Sequence, residues 1–323
     1  MKPTFHHRPV NGPFEDPCLY VRLLREKRAL MFDSGEISRL SAGDILKVTD
    51  VFVSHTHIDH FIGFDSLLRM LLRREQPLRV YGPSNIIDCV EGKLRGYTWN
   101  LIEECPLRIE VFGIDGDAIR HSSFYAENSF KKVRRQDRPF HGIVLEADSF
   151  KVKAASLRHD IQCLGYSLEE DMHINIDKAA LSGMGLPVGP WIGDLKRAIR
   201  EEAPEDKEFQ AGQKTLKLRE LKRAVIITKG QKLSYVMDAS PDEENIKKII
   251  ELVRGSDTLY SEAYFLEADR QRAVQRNHLT AKISGRIAKE AGVKDLVVMH
   301  FSPKYRDTPD APVIEAMEEF RRF

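Results

Sequence analysis

The sequence predicts an α/β protein in which β-strands are covered by helices. Short apolar runs, typical of strands, alternate along the chain with segments whose apolar residues recur at the helical period. Several of these runs stop at Gly, Pro or Asp, which are residues that favour turns. With 323 residues, of which 42% are hydrophobic, the chain is long enough to bury a large core.

The first predicted elements are two strands at residues 19–24 and 28–32, joined by a charged turn. A third strand, at residues 51–53, leads directly into a histidine cluster, and residues 61–72 then follow the helical period. A strand at 78–83 ends at a Gly-Pro breaker. Further strands are predicted at 107–112, 142–146, 150–157, 224–228 and 232–237, and further helices at 85–94, 243–253 and 279–291.

Residues 173–223 differ from the rest of the chain, because their apolar periodicity is weak. They include the run Gly185-Leu186-Pro187-Val188-Gly189-Pro190. We expect this segment to be an insertion projecting from one domain that spans residues 1–323. The basic segment 131–135 is expected to be a solvated loop, with a phosphate-contacting patch as the alternative.

Composition narrows the class of protein and its compartment. Fifty Lys and Arg against 49 Asp and Glu give a net charge of +1, so the overall charge indicates neither a nucleic-acid binder nor an acidic tail. The four cysteines form no Cys-x-x-Cys pair, which disfavours a disulfide framework and a thiolate zinc site. Neither a signal peptide nor a run of about 18 apolar residues is visible. We therefore expect a soluble cytoplasmic protein with no membrane span.

The densest chemical signal is Ser-His-Thr-His-Ile-Asp-His-Phe-Ile-Gly at residues 54–63, which holds three of the 11 histidines in the chain. Imidazole and carboxylate groups are common ligands for zinc and related ions. In an extended segment His55 and His57 share a face, whereas Asp59 and His60 turn toward a neighbouring position. One loop can therefore supply ligands to two metal ions.

A site with two metal ions needs more ligands than this loop carries, and three strand ends supply candidates. His159, Asp238 and His300 each follow an apolar, strand-like run. Each residue taken singly is a common structural residue. The repeated pattern of an apolar strand that ends in a ligand-type side chain predicts a site along one edge of a sheet.

These motifs resemble the ordered motifs of the metallo-beta-lactamase superfamily, in register from about residue 30 to residue 305. The resemblance is carried by the histidine loop, the segment Phe32-Asp33-Ser34-Gly35-Glu36 and the three later candidates. Three stretches resemble more specifically the ribonuclease Z family, whose members mature the 3′ end of transfer RNA. They are Arg158-His159 through Gly165-Tyr166-Ser167, the run at residues 185–190, and His300-Phe301-Ser302-Pro303-Lys304-Tyr305.

The resemblance implies an αββα sandwich of two mixed sheets flanked by helices, with the site at one edge and an inserted protruding arm. It implies two Zn²⁺ per chain, with Mn²⁺ or Fe²⁺ as alternatives. Two such ions about 3.5 to 4 Å apart can share a hydroxide that attacks phosphorus. By motif position, the first ion would be held by His55, His57 and His159, the second by Asp59, His60 and His300, and Asp238 would bridge them.

The resemblance also implies that His278 and Asp59 manage the proton of the reaction. His278 matches the family position of the histidine that works with the loop aspartate. In the family a His-Glu-Ala-Thr stretch precedes that histidine, whereas this chain has Ser261-Glu262-Ala263-Tyr264. Glu262 is a candidate for orienting His278, with a surface glutamate as the alternative.

The sequence therefore predicts a metal-dependent endoribonuclease that removes 3′ trailers from precursor transfer RNA, and the resemblance implies a homodimer. The predicted arm is only weakly basic, with nine Lys and Arg against seven Asp and Glu in residues 191–223, although phosphate binding is mainly electrostatic. A hydrolase of a small phosphodiester or ester is thus an alternative, and so is an arm that does not bind RNA. Seven intact ligand candidates argue against a non-catalytic binding module.

Overall fold

Two mixed β-sheets pack face to face in the larger of the two units that the chain forms. The computed structural model describes residues 4–24, 26–170 and 172–322, with the backbone but not the side chain of His173. The larger unit runs to Ala147 and includes Lys151–Glu169 and the chain from Lys232 onward. The second unit comprises Asp148–Phe150 and Glu170–Gln231.

The first sheet is built from the amino-terminal half of the chain. Its strands are β1 (Phe5–Pro9), β2 (Leu19–Leu23), β3 (Arg28–Phe32), β4 (Val48–Phe52), β5 (Leu78–Pro83), β6 (Arg108–Asp115), β7 (Ala118–Tyr125), β8 (Lys132–Arg134) and β9 (Arg138–Pro139). They lie in chain order from β1 to β8, and β9 also pairs with β7. The neighbours from β3 to β6 are parallel, while β2 pairs antiparallel with β3. The predicted hairpin is thus confirmed, although its turn contains Arg25, which lies outside the described residues.

The second sheet also mixes parallel and antiparallel pairs. Its strands are β10 (Ile143–Glu146), β11 (Phe150–His159), β12 (Ile161–Glu170), β17 (Lys232–Val236), β18 (Thr258–Glu262) and β19 (Asp295–Met299), where the numbers 13 to 16 belong to strands of the second unit. This is also their order in the sheet. The last three strands are parallel to one another, so their carboxyl ends meet at the same edge.

Helices cover the outer face of each sheet. They are α1 (Ala42–Ile45), α2 (Ile58–Phe61), α3 (Phe64–Leu71), α4 (Ile86–Arg95), α8 (Glu243–Val253), α9 (Arg270–Arg276), α10 (Ala281–Glu290) and α11 (Ala311–Arg321). Helices α3 and α4 share a hydrophobic cluster with the first sheet, and α8, α10 and α11 share one with the second. The αββα sandwich of mixed sheets is confirmed. Among the described helices, none has the length and apolar character needed to cross a bilayer.

Alternation along four parallel strands separates an aliphatic face from an aromatic one. Met31, Val51, Val80 and Val111 are register partners and pack in the outer cluster beneath the helices. The next residue of each strand points the other way, because side chains alternate between the faces of a sheet. These residues form a row with centroid distances of 5.0, 4.9 and 4.8 Å between adjacent rings, and they are Phe32, Phe52, Tyr81 and Phe112.

The aromatic row forms the inner core, where the second sheet packs against it. The Tyr166 ring lies 5.6 Å from Phe52, and the Tyr235 ring lies 5.8 Å from Phe32. Both tyrosines are fully buried, and the Tyr166 hydroxyl donates a hydrogen bond of 2.8 Å to the carbonyl of Val53. This contact joins the second sheet to the chain just before the histidine loop.

The second unit contains its own small core and holds the segment predicted to be an arm. Its elements are β13 (Met172–Ile176), α5 (Lys178–Gly183), α6 (Trp191–Arg200), β14 (Glu208–Ala211), β15 (Lys214–Lys217), α7 (Leu218–Leu221) and β16 (Val225–Lys229). β13 pairs with β16, and β14 pairs with β15. Ile174, Leu181, Leu195 and Leu221 are buried together in one cluster. The segment is therefore an ordered unit despite its weak periodicity.

The expectation for residues 131–135 is confirmed for solvation, because four of the five residues are exposed, but it is wrong for the loop. Part of this segment is strand β8, which pairs with β7. The ammonium of Lys132 lies 2.5 Å from the carboxylate of Glu91 and 3.2 Å from that of Asp88 on α4. Pairing with β7 and these ion pairs fix the position of the segment. Its sequence indicates only that it is charged.

Asp242 stabilises the start of α8, and its removal should have a measurable cost. Its side chain accepts a hydrogen bond of 3.1 Å from the Asn245 backbone N–H and one of 2.9 Å from Arg158. The variant Asp242→Ala is expected to lose about 1 kcal/mol of unfolding free energy, the usual value of an N-cap. Asp242→Asn keeps an acceptor and should fall within about 0.5 kcal/mol of the wild type. Urea unfolding of the metal-free protein measures both, and equal stability of the alanine variant would contradict the prediction.

Candidate metal centre

Ligand-type side chains meet at the carboxyl ends of parallel strands from both sheets. The histidine loop follows β4, Asp238 follows β17 and His300 follows β19. His159 is the last residue of β11. The structure brings all seven ligands predicted from the sequence into two adjacent groups.

The first group contains His55, His57, His159 and Asp238. One potential ligand atom from each lies within 4.8 Å of the others. The ring centroid of His55 is 4.4 Å from that of His57 and 5.2 Å from that of His159. His55 is fully buried, whereas His57 is exposed. Three imidazoles and a carboxylate are a donor set that suits zinc.

The second group contains Asp59, His60 and His300, which also lie within 4.8 Å of one another. The Asp59 carboxylate is 3.6 Å from Nε2 of His60 and 3.9 Å from Nε2 of His300. Helix α2 places Asp59 and His60 beside each other, and His60 is fully buried.

Asp238 lies between the two groups. Its Oδ2 is 3.4 Å from Nε2 of His55 and 3.3 Å from Nε2 of His60, and its Oδ1 is 3.0 Å from Nε2 of His300. One carboxylate therefore reaches nitrogen atoms of both groups, as a bridging ligand must.

A buried network fixes the ring of His60 from behind. Nδ1 of His60 lies 2.8 Å from Oδ2 of Asp33, and the hydroxyl of Tyr235 donates to the same oxygen at 2.8 Å. The Ser54 N–H donates to the other oxygen of Asp33 at 2.6 Å. Such a carboxylate leaves Nε2 as the nitrogen that faces the ligand site. Asp33 was not a predicted site residue, although it follows an apolar strand as the other candidates do.

Three residues that follow strands at this centre have left-handed backbone conformations. Asp33, Asp238 and His300 have φ angles of 53°, 52° and 56°. This region costs a non-glycine residue roughly 1–2 kcal/mol. Such strain concentrates at functional sites, where the surrounding structure holds it. In each case the left-handed conformation turns the chain at the end of a strand. The side chains of Asp238 and His300 then lie in the site, and that of Asp33 contacts His60.

His278 and Glu262 form a second buried pair beside Asp238. Nδ1 of His278 is 2.8 Å from Oε2 of Glu262, and Oε1 of Glu262 accepts a hydrogen bond of 2.7 Å from the Ala239 backbone N–H. Glu262 is fully buried, so the alternative of a surface glutamate is wrong. Because Glu262 occupies Nδ1, Nε2 of His278 is the nitrogen available for proton transfer.

Burial and charge separate the pKa values of the histidines in the protein alone. Burial and the nearby His60 lower the pKa of His55 to about 2. Burial also acts to lower the pKa of His60, but the carboxylates of Asp33 and Asp238 outweigh it and hold that pKa well above the usual value. The pKa of His278 is raised in the same way, because Glu262 outweighs burial. In the protein alone, both raised pKa values favour a positive charge beside Asp238.

Divalent cations fit this arrangement. Nε2 of His55 and Nε2 of His60 are buried and have no hydrogen-bond partner among the described residues. Leaving buried polar atoms unsatisfied costs free energy, and such atoms indicate a missing ligand. Cations bound to these nitrogens would satisfy them and would take the place of the proton on His60.

The site opens into a cavity of about 510 Å³. Besides the ligand-type residues, it is lined by Asp160, Ile161, Tyr264, Gln275 and Arg276. Of these five residues, only Tyr264 was noted from the sequence, as a departure from the family pattern. The other four were not predicted to belong to the site.

Curated relatives match this chain over nearly its whole length, although no protein-family model matches the sequence. Ribonuclease Z of Deinococcus radiodurans is 28% identical over 316 residues, which cover 96% of this chain and 93% of that protein. Ribonuclease Z of Methanothermobacter thermautotrophicus is 27% identical over 284 residues, covering 86% of this chain and 78% of that protein.

Solved structures share the fold. Human tRNase Z, short form, superposes with a TM-score of 0.55 at 20% identity and covers 93% of each chain. The metallo-beta-lactamase fold protein YhfI from Bacillus subtilis superposes with a TM-score of 0.56 at 16% identity and covers 99% of this chain and 94% of that chain. Together, these comparisons show that the chain has the metallo-beta-lactamase fold and is similar over most of its length to proteins named ribonuclease Z.

Proposed function

We propose that the protein is a metal-dependent phosphodiesterase that removes 3′ trailers from precursor transfer RNA. The observation that carries the proposal is the convergence of seven ligand-type side chains and His278 at one site, where five of the seven and His278 line an open cavity. The relatives named ribonuclease Z support the same activity.

The charges in the cavity support a requirement for metal. Asp59, Asp160 and Asp238 line it, and Arg276 is the one Lys or Arg among the described residues that does. A phosphodiester is an anion, and these three carboxylates oppose its binding. Cations held by the histidine groups would add the positive charge that makes this a phosphate site.

In this proposal His55, His57 and His159 hold one ion, Asp59, His60 and His300 hold the other, and Asp238 bridges them. A pair of divalent cations would supply positive charge that polarises the phosphoryl group and lowers the pKa of water. We propose zinc as the native metal, with manganese or iron as alternatives, because imidazole and carboxylate suit all three.

Two side chains of the protein then donate and accept the protons of the reaction. Glu262 outweighs the effect of burial and raises the pKa of His278, which favours the protonated imidazole, the form that can donate a proton to the departing oxygen. The side chain of Asp59 is 37% exposed at the cavity and can accept the proton of the attacking group. A correctly placed acid or base of this kind contributes about 10²- to 10⁴-fold in rate.

The role of the arm, the oligomeric state and the compartment are also proposals. We propose that residues 173–223 serve as the arm that contacts the body of the RNA, and that the protein acts as a homodimer in the cytoplasm. The four cysteines are free thiols, which suits a reducing compartment. Light scattering on the purified protein would measure the mass of the assembly.

The second candidate is a hydrolase of small phosphodiesters. It is favoured by the small surplus of basic residues in 191–223, nine Lys and Arg against seven Asp and Glu. A cavity of about 510 Å³ is also large enough for a compound much smaller than RNA.

The test is cleavage of a precursor transfer RNA by purified protein of known metal content, with bis-p-nitrophenyl phosphate as the small diester. We expect one cut at the 3′ trailer. His278→Ala should keep its metal and lose about 10²- to 10⁴-fold in kcat, because it removes the proton donor. Asp59→Ala should lose both metal and cleavage. His141→Ala, which replaces an exposed histidine of the same chain, is the matched control and should cleave normally.

Turnover of the small diester without cleavage of the RNA would replace the proposed function with the second candidate. An active His278→Ala variant would refute the role assigned to His278. Absence of bound metal from the wild-type protein after loading with zinc would refute the metal-dependent mechanism.

A further inference from the structure

Tyr264 stacks on the imidazole of His278. The two ring centroids are 4.0 Å apart, and the ring planes differ by only 10°. The ring of His159 meets His278 at 4.9 Å with an angle of 63°. Tyr264 follows Glu262 by two residues, so the end of one strand supplies both the carboxylate that binds Nδ1 of His278 and the ring that covers its face.

The two contacts restrict different motions of His278. The hydrogen bond to Glu262 fixes the position of Nδ1 but allows the ring to pivot about that bond. The outer torsion of a histidine side chain is broad, so rotamer preference alone does not fix the ring plane. A parallel aromatic ring at 4.0 Å does fix it, because a tilt of the imidazole would drive its edge into the tyrosine.

The backbone around Tyr264 is anchored on two sides. The carbonyl of Tyr264 accepts a hydrogen bond of 3.1 Å from the Ser302 N–H, two residues after His300. The next residue, Phe265, accepts a hydrogen bond of 2.7 Å from the Ala281 N–H, close to His278 in the chain. The tyrosine ring is therefore tied to the segments that carry both histidines.

The side chain of Tyr264 is not a core residue. It is partly exposed and lines the cavity of the metal centre. Among the described residues its hydroxyl has no hydrogen-bond partner, whereas its ring contacts His278 and lies 5.3 Å from His300. The contacts that hold the side chain are thus made by the ring.

We propose that Tyr264 is a positioning residue, whose ring holds His278 in the plane that directs Nε2 toward the substrate. The inference rests on the proposed function, since it assigns Tyr264 to the reaction through His278.

The test compares Tyr264→Ala, Tyr264→Phe and wild type on bis-p-nitrophenyl phosphate, with metal content measured for each. Tyr264→Ala should lower kcat about 10- to 100-fold, since a small misplacement of a catalytic group has an effect of this size. KM should change less than about threefold, and Tyr264→Phe should stay within about threefold of wild type, because the ring is retained. Tyr97→Ala is the matched control, because it removes a half-exposed tyrosine that lines a different cavity.

A double variant separates positioning from a general structural effect. If Tyr264 acts through His278, the variant His278→Ala/Tyr264→Ala should be no slower than His278→Ala alone. A further tenfold loss in the double variant would overturn the proposal. So would an unchanged kcat in Tyr264→Ala, or a loss in Tyr264→Phe as large as that in Tyr264→Ala.

A readout that needs no turnover keeps this inference distinct from the proposed function. The carbon-bound ring protons of His278, assigned with His278→Ala, should be shifted upfield by the stacked tyrosine in NMR spectra of histidine-labelled protein. Tyr264→Ala should remove the shift, and an unchanged resonance would refute the stacking. A wild-type protein that cleaves neither substrate would refute the proposed function, while the NMR result would still decide whether Tyr264 holds the ring.

Discussion

Replacement of Asp238 by alanine is expected to remove bound metal and to reduce cleavage to near the uncatalysed background. Asp238 is only 2% exposed, and its two oxygens lie 3.0 to 3.4 Å from nitrogens of His55, His60 and His300. Its pKa is held well below the usual value, because His300 and His60 outweigh the effect of burial. The carboxylate of Asp238 is therefore ionised and can bind cations.

The size of the effect follows from this central position. Even the partners of metal ligands change affinity roughly 10- to 100-fold when they are replaced, so loss of a bridging carboxylate should exceed about 100-fold. The measurements are metal content after dialysis and kcat on bis-p-nitrophenyl phosphate. Asp160→Asn is the control for metal content, because Asp160 lines the same cavity outside both ligand groups. Retention of two ions per chain in Asp238→Ala would show that Asp238 does not bridge them.

Replacement of Gly63 by alanine is expected to destabilise the metal-free protein by roughly 2–5 kcal/mol. A Cβ atom on Gly63 would lie 2.1 Å from the carbonyl oxygen of Gly35 and 3.0 Å from that of Ser34. These are backbone atoms that cannot rotate away. The Gly63 N–H also donates to the Ser34 carbonyl at 2.8 Å, and the Ser34 N–H donates to the His60 carbonyl at 2.8 Å.

The expected cost combines overpacking, about 1–3 kcal/mol, with the loss of one or two hydrogen bonds of about 1 kcal/mol each. The same displacement would separate Asp33 from His60, so metal affinity should fall as well. Urea unfolding measures the stability. The matched control is Gly92→Ala in α4, where an added Cβ meets no atom within 4 Å, and this change should stabilise by roughly 0.5–1 kcal/mol. Similar stability of Gly63→Ala and wild type would contradict the packing argument.

The sequence predicted much of the secondary structure of the larger unit because its patterns are local. Helix α3 buries Phe64, Leu67, Leu68 and Leu71, which have the helical spacing used to predict it. The second unit was harder to predict. Its elements are short, so β14 contributes only two buried residues to the core, and no period extends far enough to be recognised.

The candidate site was predictable to the extent that each ligand type stands at the end of an apolar strand. His159, Asp238 and His300 could be selected in this way because parallel strands bring their carboxyl ends to one edge. Asp33 obeys the same rule, and only its partners show that its carboxylate lies behind His60. Glu262 and His278 are 16 residues apart in the chain, so the sequence could not show their hydrogen bond and could not distinguish Glu262 from a surface glutamate.

By itself the sequence determined the ligand chemistry, because the identity and spacing of His55, His57, Asp59 and His60 lie within one loop. The alternation of strand and helix patterns determined the α/β class, and the resemblance of the motifs implied the sandwich. Only the tertiary structure decided which side chains support the ligands and which ring covers His278. Those contacts join residues far apart in the chain, such as Asp33 and Tyr235, whose oxygens are 2.8 Å apart. Their distance depends on sheet register and packing, which no local pattern encodes.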